Sequence, residues 1–478
     1  MLRAFGQTFA LFALLALLNA GLPAHARERA EARGRASSSQ TRPGEAFRLS
    51  PADESFLEDL GRRAFQFFID HADPGTGLVL DRARADGAAH GPEHPSHRVA
   101  SSASTGFGLT ALCVAAERGW VTRGEARSRV LTTLGYYAHR AAKERGWFLH
   151  WSDARTGERR WKSEYSSIDT AILLAGVLTA RGYFRDDAEV RRLATEIYER
   201  VDFRWMLAGH PTQLSHGWRP ETGFIPSRWD TYSEHLVLQL LAVGSPTYPV
   251  TPRAWLAWSR ERITYAGHTY VTGGPLFVHQ YSHAWVDFRG RRESWYPFTD
   301  YFENSVAATR AHRQFCIDLG SEFSGYGPEV WGITASDSER GYVAWGGPPR
   351  HPDIDGTVAP AAAAGSLMFT PDISLPALRA MKEKFGERVY GRYGFTDAFN
   401  PTTGWVGPDV IGIDLGITLL SAENLRGGNV WRWFMRNHEI TRAMNAVGLQ
   451  SSGGQARPFS TGWPKRPEAL RPRKRKGG

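Results

Sequence analysis

The chain has 478 residues, a formal net charge of +9 and only two cysteines. A chain of this length can bury a large core without cross-links, so these counts exclude a small fold that depends on disulfides. Between residues 465 and 478, seven Lys or Arg stand against one Glu. Because much of the positive charge lies at one end of the chain, it does not predict a nucleic-acid-binding surface on the fold.

The first 26 residues have the pattern of a signal peptide. Arg3 supplies a positive charge, residues 9–18 are apolar, and residues 24–26 (Ala-His-Ala) provide the small residues of a cleavage site. The apolar run is too short to cross a bilayer comfortably. We therefore expect cleavage before Arg27 and a periplasmic or secreted protein without a membrane span.

The rest of the chain divides by composition into a leader, a body and a tail. Residues 27–46 are charged and small, which predicts a flexible leader because such a segment cannot bury enough surface to fold. Residues 464–478 are predicted to be a disordered basic tail. Residues 47–463 exceed the usual size of a domain, which predicts one large closed architecture or, as the alternative, two domains.

Within the body, apolar residues recur with a period of 3.6 residues, which indicates helices. The predicted helices span residues 53–72, 103–118, 123–144, 167–181, 186–201, 232–243, 252–265, 301–320, 357–369, 373–385, 412–422 and 427–447. Strand patterns are few, around residues 147–151 and 272–278. Such a series favours an all-α fold of the (α/α)6 toroid type, in which each helical hairpin supplies one inner and one outer helix.

The connections between the predicted helices are rich in tryptophan. Aromatic faces stack on sugar rings, and the loops at one end of a toroid form its pocket. The tryptophans in these connections are Trp147, Trp151, Trp161, Trp218, Trp229, Trp285, Trp295, Trp331, Trp345 and Trp405. Any single one is better explained by core packing, but ten of them in connections rich in Gly and Pro favour a groove for a sugar chain.

Acidic residues beside these connections are candidates for glycosidic cleavage, which requires two carboxyl groups across the bond. Glu164 and Asp169 lie where Ser166 and Ser167 open a helix. Glu234 follows a tryptophan loop at the start of an apolar helix. The apolar wall would raise the pKa of Glu234 and the helix N-terminus would lower it, so the sign stays open. Each of these acids would also serve as a plain capping residue.

Metal chemistry has weaker support. His279 and His283 have the i,i+4 spacing of a helical metal site. No acid occupies the zinc-protease position, and the flanking residues favour a loop. We therefore expect no metal and no other cofactor. Cys113 and Cys316 are expected to be buried hydrophobic residues, and their pairing in a disulfide stays open.

Seven segments, in order along the body, resemble the glycoamylase-like conserved domain, which contains the bacterial endo-β-1,2-glucanases of glycoside hydrolase family 144. These segments are SSIDTAILLAGVLTA, YSEHLVLQLLAVGSPTYP, FVHQYSHAWVDFR, YFENSVAATRAHRQF, YGPEVWGITASD, DGTVAPAAAAGSLMFTPDISLPALRAM and WVGPDVIGIDLGITLLSAENLRGGNVWRWFM. The resemblance implies an (α/α)6 toroid and an exported glycosidase that acts on β-linked glucan with inversion. Related members also include exo-acting and transglycosylating enzymes.

The resemblance also implies site residues. The acidic positions of the family match Asp169 and Glu234, with Asp414 as a third. Asp414 is followed by Leu415, where relatives often have a polar residue, and this departure leaves the local role of Asp414 open. We interpret Glu234 as the general acid and Asp169, with Glu164, as the group that orients or deprotonates water.

The sequence thus predicts an exported glycoside hydrolase of β-linked glucan, most specifically β-1,2-glucan. Its expected partner is an oligosaccharide or polysaccharide substrate rather than nucleic acid, and it is expected to be a monomer. The residues predicted to bind sugar are Arg228, Trp229, Tyr232, His279, Tyr281, Glu303, Glu329 and Trp331. Two alternatives are a non-catalytic glycan-binding envelope protein and a polysaccharide lyase on the same toroid.

Overall fold

Thirteen α-helices carry the fold in the part of the chain that the computed structural model describes, residues 47–271, 274–349 and 354–451. They are α1 (Pro51–Asp70), α2 (Ser102–Glu117), α3 (Arg123–His139), α4 (Ser167–Tyr183), α5 (Ala188–Glu199), α6 (Leu236–Gly244), α7 (Tyr281–Trp285), α8 (Tyr301–Asp318), α9 (Pro360–Ala364), α10 (Pro371–Phe385), α11 (Gly412–Gly427), α12 (Asn429–Phe434) and α13 (His438–Ala446). The predicted signal peptide, leader and tail lie outside these residues. None of the described helices combines the length and apolar character needed to cross a membrane.

Seventeen strands of two to four residues lie between these helices in the described ranges. They are β1 (Arg82–Arg84), β2 (Val99–Ser101), β3 (Lys143–Glu144), β4 (Trp147–Phe148), β5 (Trp151–Asp153), β6 (Tyr165–Ser166), β7 (Gly217–Arg219), β8 (Gly223–Phe224), β9 (Arg262–Tyr265), β10 (His268–Val271), β11 (Arg291–Glu293), β12 (Tyr390–Gly391), β13 (Gly394–Phe395), β14 (Phe399–Asn400), β15 (Trp405–Val406), β16 (Asp409–Ile411) and β17 (Leu449–Ser451). They form two-stranded antiparallel ribbons and one three-stranded sheet, β6-β7-β8. The prediction of a helix-rich fold with few strands is confirmed.

Two kinds of helix divide the structure into a buried layer and a covering layer. α2, α4 and α11 are buried along most of their length, because their sequences consist largely of small and apolar residues. α1 instead buries one face, which includes Leu60 and Ala64. On its other side, Arg63 donates to the carboxylate of Asp59. The apolar pattern thus decides which layer a helix joins.

The buried helices contact one another in a closed series. α2 packs against α4, α4 against α6, and α6 against α7. Gln280, directly before α7, donates to the carbonyl oxygen of Ala362 in α9. α9 packs against α11, and α11 returns to α2. The covering helices fill the outside: α1 lies against α2 and α11, α3 against α2, α5 against α4, α13 against α6, and α10 against α9.

Several predicted elements are shorter than their patterns indicated. The predicted helix 357–369 contains only the five residues of α9. The predicted helix 252–265 is a 3-10 turn, Pro252–Leu256, followed by β9, which pairs with β10. In the predicted strand 272–278, the described residues from Leu276 onward form a 3-10 turn. Short apolar patterns do not separate helix from strand, so tertiary pairing decides these cases.

The two cysteines match their prediction as buried side chains. Cys113 lies in α2 and Cys316 in α8, and both are free thiols. Burial raises the pKa of Cys113 and sets that of Cys316 at about 12. Neither sulfur is therefore a thiolate at neutral pH.

Glycines set the close contact between α2 and α4. A Cβ on Gly176 would lie 2.1 Å from the carbonyl oxygen of Gly106, and a Cβ on Gly106 would lie 2.4 Å from the carbonyl oxygen of Ile172. These obstacles are backbone atoms, which cannot rotate aside. The two helices therefore approach to backbone contact only because both positions lack a side chain.

Gly176→Ala is expected to lower the free energy of unfolding by about 3 kcal/mol, because the added methyl overpacks a backbone contact. Urea unfolding followed by circular dichroism measures this change. The matched control is Gly135→Ala in α3, where an added Cβ meets no atom within 4 Å. Helix propensity should make that control neutral or more stable by up to about 1 kcal/mol. Equal stability of the two variants would contradict the packing described.

Candidate active site

Short strands lead directly into three buried helices and connect their first turns. β2 precedes α2, β6 precedes α4, and β16 precedes α11. β1 pairs with β16, and a bridge from Leu80 to Ala100 connects β1 to β2. β2 pairs with β5, and a bridge from Leu149 to Tyr165 reaches β6. This chain of strand pairs brings the first turns of α4 and α11 to the same end of the structure.

His150 joins two of the predicted acids. Its Nδ1 lies 3.0 Å from Glu164 Oε1, and its Nε2 lies 3.3 Å from Asp169 Oδ1. Ser166, the N-cap of α4, donates to Asp169 Oδ2 at 2.6 Å. Arg219 lies 3.3 Å from the other oxygen of Glu164. One imidazole therefore fixes both carboxyl groups relative to each other.

The electrostatics of this triad differ among its members. Burial alone would lower the pKa of His150, but the charges on Asp169 and Glu164 outweigh it and raise that pKa. Burial also opposes ionisation of Glu164, yet the hydrogen bond and charge of His150 lower its pKa to about 2. For Asp169 burial prevails over the charge of His150, and its pKa is raised. Glu164 is thus a permanent carboxylate, whereas Asp169 accepts a proton more readily.

The same three side chains have the composition of a metal site. One ligand atom from each of His150, Glu164 and Asp169 lies within 4.8 Å of the others, in the part of the chain that is described. The two ion pairs of His150 already account for this proximity. A metal would have to displace the proton that the raised pKa of His150 retains.

Glu234 lies in the turn directly before α6, not inside the helix predicted for residues 232–243. Ser233 donates to Glu234 Oε2. The backbone carbonyl oxygen of Glu234 accepts from Ser282 Oγ at 2.5 Å, which ties this turn to α7. Burial raises the pKa of Glu234, the charge on Asp169 adds to the shift, and the bond from Ser233 offsets only part of it. The sign left open by the sequence is therefore that of a raised pKa.

Trp229 supports the first turn of α4. Its indole N–H donates to Ser167 Oγ at 2.9 Å. Its ring stacks on His216 at 4.1 Å and lies nearly parallel to His235 at 5.4 Å. Burial lowers the pKa of both histidines, so the rings are neutral at neutral pH. Trp229 is itself buried, so it positions the turn that holds Asp169 rather than presenting an open face.

Asp414 belongs to a second group of carboxyls at the start of α11. It lines a small cavity together with Asp397, and the Tyr281 hydroxyl donates to it at 3.5 Å. The backbone N–H of Asp337 donates to Asp397 Oδ2 at 2.7 Å, and one nitrogen of Arg82 donates to both carboxylate oxygens of Asp337. Burial, with the charge on Asp337, raises the pKa of Asp414 to about 7.

The two groups of carboxyls form one site. Burial raises the pKa of Tyr281 well above its usual value, and the charges on Asp414 and Glu234 both add to that shift. The charge on Asp81 likewise raises the pKa of both Asp169 and Asp414. Because such charge effects fall off with distance, Tyr281 and Asp81 lie near members of both groups. We use the name carboxyl site for one set of residues: Asp81, His150, Glu164, Asp169, Glu234, Tyr281, Asp337, Asp397 and Asp414.

Several residues predicted to bind sugar lie inside the protein instead. Tyr232, His279 and Trp331 have almost no exposed surface. Burial holds the pKa of His279 well below its usual value, so this ring is neutral. Arg228 is partly exposed, but its guanidinium donates to three backbone carbonyl oxygens. The first three side chains therefore offer no open surface to a sugar, and Arg228 is held by the backbone.

Two predicted acids do not reach the carboxyl site. Glu303 is exposed in the first turn of α8, where the neighbouring Phe302 packs against Phe369 and Trp431. Those rings follow the C-terminal ends of α9 and α11, so Glu303 lies at the opposite end of the structure. Glu329 lines an exposed pocket against α10 that contains no residue of the carboxyl site.

The sequence analysis missed four residues of this site. Asp81 and His150 each follow an apolar triplet, LVL and WFL, and this pattern of a polar residue at the end of a short strand was the available signal. Asp337 and Asp397 follow no such pattern. They come from loops whose meeting depends on the tertiary fold.

His150→Gln is expected to make stability less dependent on pH. A raised histidine pKa stabilises the folded state fully below the unfolded value of 6.5, and this contribution is lost as pH rises through the folded pKa. The difference in unfolding free energy between wild type and variant should therefore shrink as pH rises above 6.5. Denaturant titrations across this range measure it, with His139→Gln on the exposed end of α3 as the control. A difference that stays constant with pH would contradict the triad.

Known proteins resemble this chain over most of its length. A family model described as "Putative glucoamylase" matches residues 226–438. A Bacteroides fragilis protein of known structure, described in the same words, is 30% identical, with 86% of this chain and 100% of that chain covered and a TM-score of 0.74. The endo-β-1,2-glucanase of Chitinophaga pinensis, solved with sophorotriose and glucose, is 29% identical over 84% of this chain and 99% of that chain, with a TM-score of 0.76.

A curated relative from Parabacteroides distasonis is an exo β-1,2-glucooligosaccharide sophorohydrolase (non-reducing end). It is 28% identical over 436 residues, which cover 83% of this chain. This chain spans 58% of the length of that relative. The identity to the Bacteroides fragilis protein, which this chain covers completely, shows that the protein belongs to the glycoamylase-like family.

Proposed function

We propose that this protein hydrolyses β-1,2-linked glucan by inverting acid–base catalysis. The observation that carries the proposal is that Glu234 and Asp169 lie in one site, where burial and in addition the charge on Asp169 raise the pKa of Glu234. Their described hydrogen bonds run to other partners, Ser233 for Glu234 and Ser166 for Asp169. Inversion requires room for a water between the acid and the base.

Glu234 is the general acid in this proposal. Its raised pKa favours the protonated carboxyl, as an acid catalyst requires. During cleavage that proton passes to the departing glycosidic oxygen. Ser233 and the bond from Ser282 to the Glu234 backbone hold the group in place.

Asp169 is the base in this proposal. It takes a proton from the attacking water, directly or through a substrate hydroxyl, so one proton is accepted for each proton that Glu234 gives up. Ser166 and His150 both contact its carboxyl group and restrict its orientation. The charges on Asp169 and Glu164 outweigh burial and raise the pKa of His150, which favours its charged form.

Exposed aromatic rings beside the carboxyl site are proposed to bind the sugar chain. Trp161 is 46% exposed and packs edge-on against Trp151, which in turn stacks on His150. Tyr342 is 52% exposed. Crowding by protein atoms, and next the charge on Asp414, raise the pKa of its hydroxyl. Open rings of this kind suit sugar stacking better than the buried Tyr232 and Trp331 do.

The relatives support the substrate class. The Chitinophaga pinensis enzyme is described as an endo-β-1,2-glucanase, and the Parabacteroides distasonis enzyme as an exo-acting sophorohydrolase of β-1,2-glucooligosaccharides. We extend the β-1,2 linkage to this chain, which spans only part of the curated relative. The closed series of six buried helices with covering helices supports an (α/α)6 toroid as the architecture.

We also propose that the protein is exported. The basic start, the apolar residues 9–18 and the small residues 24–26 support cleavage of a signal peptide. N-terminal sequencing of protein recovered outside the cytoplasm should begin near Arg27. Recovery of the uncleaved chain from the cytoplasm alone would refute export.

Glu234→Gln and Asp169→Asn are each expected to lower kcat/KM on linear β-1,2-glucan by about 100-fold or more, because each removes a proton-transfer group and keeps the side-chain shape. Release of reducing ends measures the loss, and circular dichroism checks folding. Glu303→Gln, at the opposite end of the structure, is the control and should act like wild type.

Substrate controls sharpen this test. α-1,4-Glucan should not be cleaved, and anomer-resolved NMR of the first product should show inversion. Near-normal turnover by both folded variants would remove the assigned roles. Glucan binding by wild type without any turnover would instead favour a glycan-binding protein.

A further inference from the structure

Asp397 and Asp414 line one small cavity inside the protein, and each raises or lowers the pKa of the other. Asp397 lies between β13 and β14 and is 4% exposed, while Asp414 is 6% exposed. An ionised carboxylate only accepts hydrogen bonds. A bond between two carboxyl groups therefore requires a proton on one of them.

The surroundings of Asp397 leave it with one unused acceptor. Its Oδ2 accepts the backbone N–H of Asp337 at 2.7 Å, and its own N–H donates to the carbonyl oxygen of Asp409 at 3.1 Å. No donor reaches its Oδ1 from the described residues, although this atom is buried. Such an atom is costly unless it carries or meets a proton.

The neighbouring cation is already paired. Arg82 lies 3.0 Å from Asp337, 3.5 Å from Asp81 and 3.9 Å from Asp409. His90 also faces Asp409, at 3.4 Å. In the described part of the chain, Arg82 therefore pairs with these three acids and forms no ion pair with Asp397 or Asp414.

Besides the Asp337 N–H, the described groups around Asp397 and Asp414 include no strong hydrogen-bond donor to the pair. The Tyr281 hydroxyl donates to Asp414 at 3.5 Å, a long bond. Asp81 adds negative charge near the pair, and Tyr342 adds a neutral hydroxyl. A cavity of about 10 Å³ is lined by both carboxyl-bearing residues together with Thr396 and Thr418. That volume is at the lower limit for one water, so bulk solvent does not screen the pair.

We propose that Asp397 is a positioning residue that shares one proton with Asp414 and thereby fixes the orientation of the Asp414 carboxyl toward the carboxyl site. The catalytic consequence of this bond rests on the proposed glucanase function, whereas the shared proton itself does not. Two adjacent carboxyls of this kind cannot both ionise. The proton is therefore a structural part of the site.

The direction of the pKa values agrees with this geometry. Burial, then the charges on Asp414 and Asp337, hold the pKa of Asp397 well above its usual range. Burial raises the pKa of Asp414 to about 7 although the neighbouring Asp397 side chain opposes the shift. As pH rises through about 7, the pair therefore loses one proton and retains the other.

Infrared difference spectroscopy tests the shared proton without any substrate. The spectrum of wild type minus Asp397→Ala, at a pH just above 7, should contain the carbonyl band of a protonated carboxylic acid. Asp153→Asn is the matched control, because Asp153 is also buried but accepts from Arg98 and two backbone N–H groups, and its pKa is lowered. That control should leave the band unchanged. Absence of the band from the wild-type minus Asp397→Ala spectrum would overturn the proposal.

Kinetics on β-1,2-glucan test the positioning role. Asp397→Ala should lower kcat by about 100-fold with a smaller change in KM, because the Asp414 carboxyl would lose its fixed orientation beside the reacting groups. The variant should also shift the acidic limb of the pH profile to higher pH. Asp397→Asn supplies a permanent N–H donor to Asp414, so it should restore turnover near pH 7 and remove the limb caused by loss of the last proton. A purely structural Asp397 would give pH profiles of wild-type shape in both variants, and that result would overturn the positioning role.

The two proposals fail in different ways. Absence of glucan cleavage by wild type would refute the proposed function, and the infrared band would still decide whether the proton is shared. Cleavage by wild type without that band would refute the shared proton alone.

Discussion

An excess of buried acid over available cation governs the carboxyl site. Asp169, Glu234, Asp397 and Asp414 all have pKa values that burial raises. Buried carboxylates that lack a cation remain protonated or share a proton, since ionisation without solvent costs several kcal/mol. The fold thus favours protonated carboxyls at the end where its buried helices begin. A general acid requires a carboxyl of this kind.

Two cationic groups decide which acids ionise. His150 lies between Glu164 and Asp169 and lowers the pKa of Glu164 to about 2. Arg82 is bound by the carboxylate of Asp337. The acids without a close cation, Glu234 and the Asp397–Asp414 pair, have raised pKa values. The neighbours of each carboxyl, rather than its residue type, therefore set the direction of its pKa shift.

The aromatic residues serve two purposes that composition alone does not distinguish. Trp229 is buried, donates to the first turn of α4 and stacks on His216. Trp161 remains 46% exposed beside Trp151. Buried rings of the first kind hold the turns that carry the acids. Open rings of the second kind are available to a sugar. The difference lies in the packing of the loops, which ten tryptophans in a sequence do not reveal.

The sequence by itself determined the helix-rich fold, the buried thiols and the family, because helical periodicity and linear motifs are local properties. Asp169 could be placed in a first helical turn for the same reason, since Ser166 caps that helix three residues earlier. Glu303 shows the limit of local patterns. They predicted the helix that carries this residue, but not the end of the structure at which the residue lies.

Only the tertiary structure decided which acids meet. His150 contacts Asp169 across 19 positions of sequence, and Asp397 bonds a backbone N–H 60 residues away. Contacts across such separations depend on which loops the closed series of helices brings together. Burial depth, which decides the sign of each pKa shift, is likewise a property of the folded chain and not of the residue.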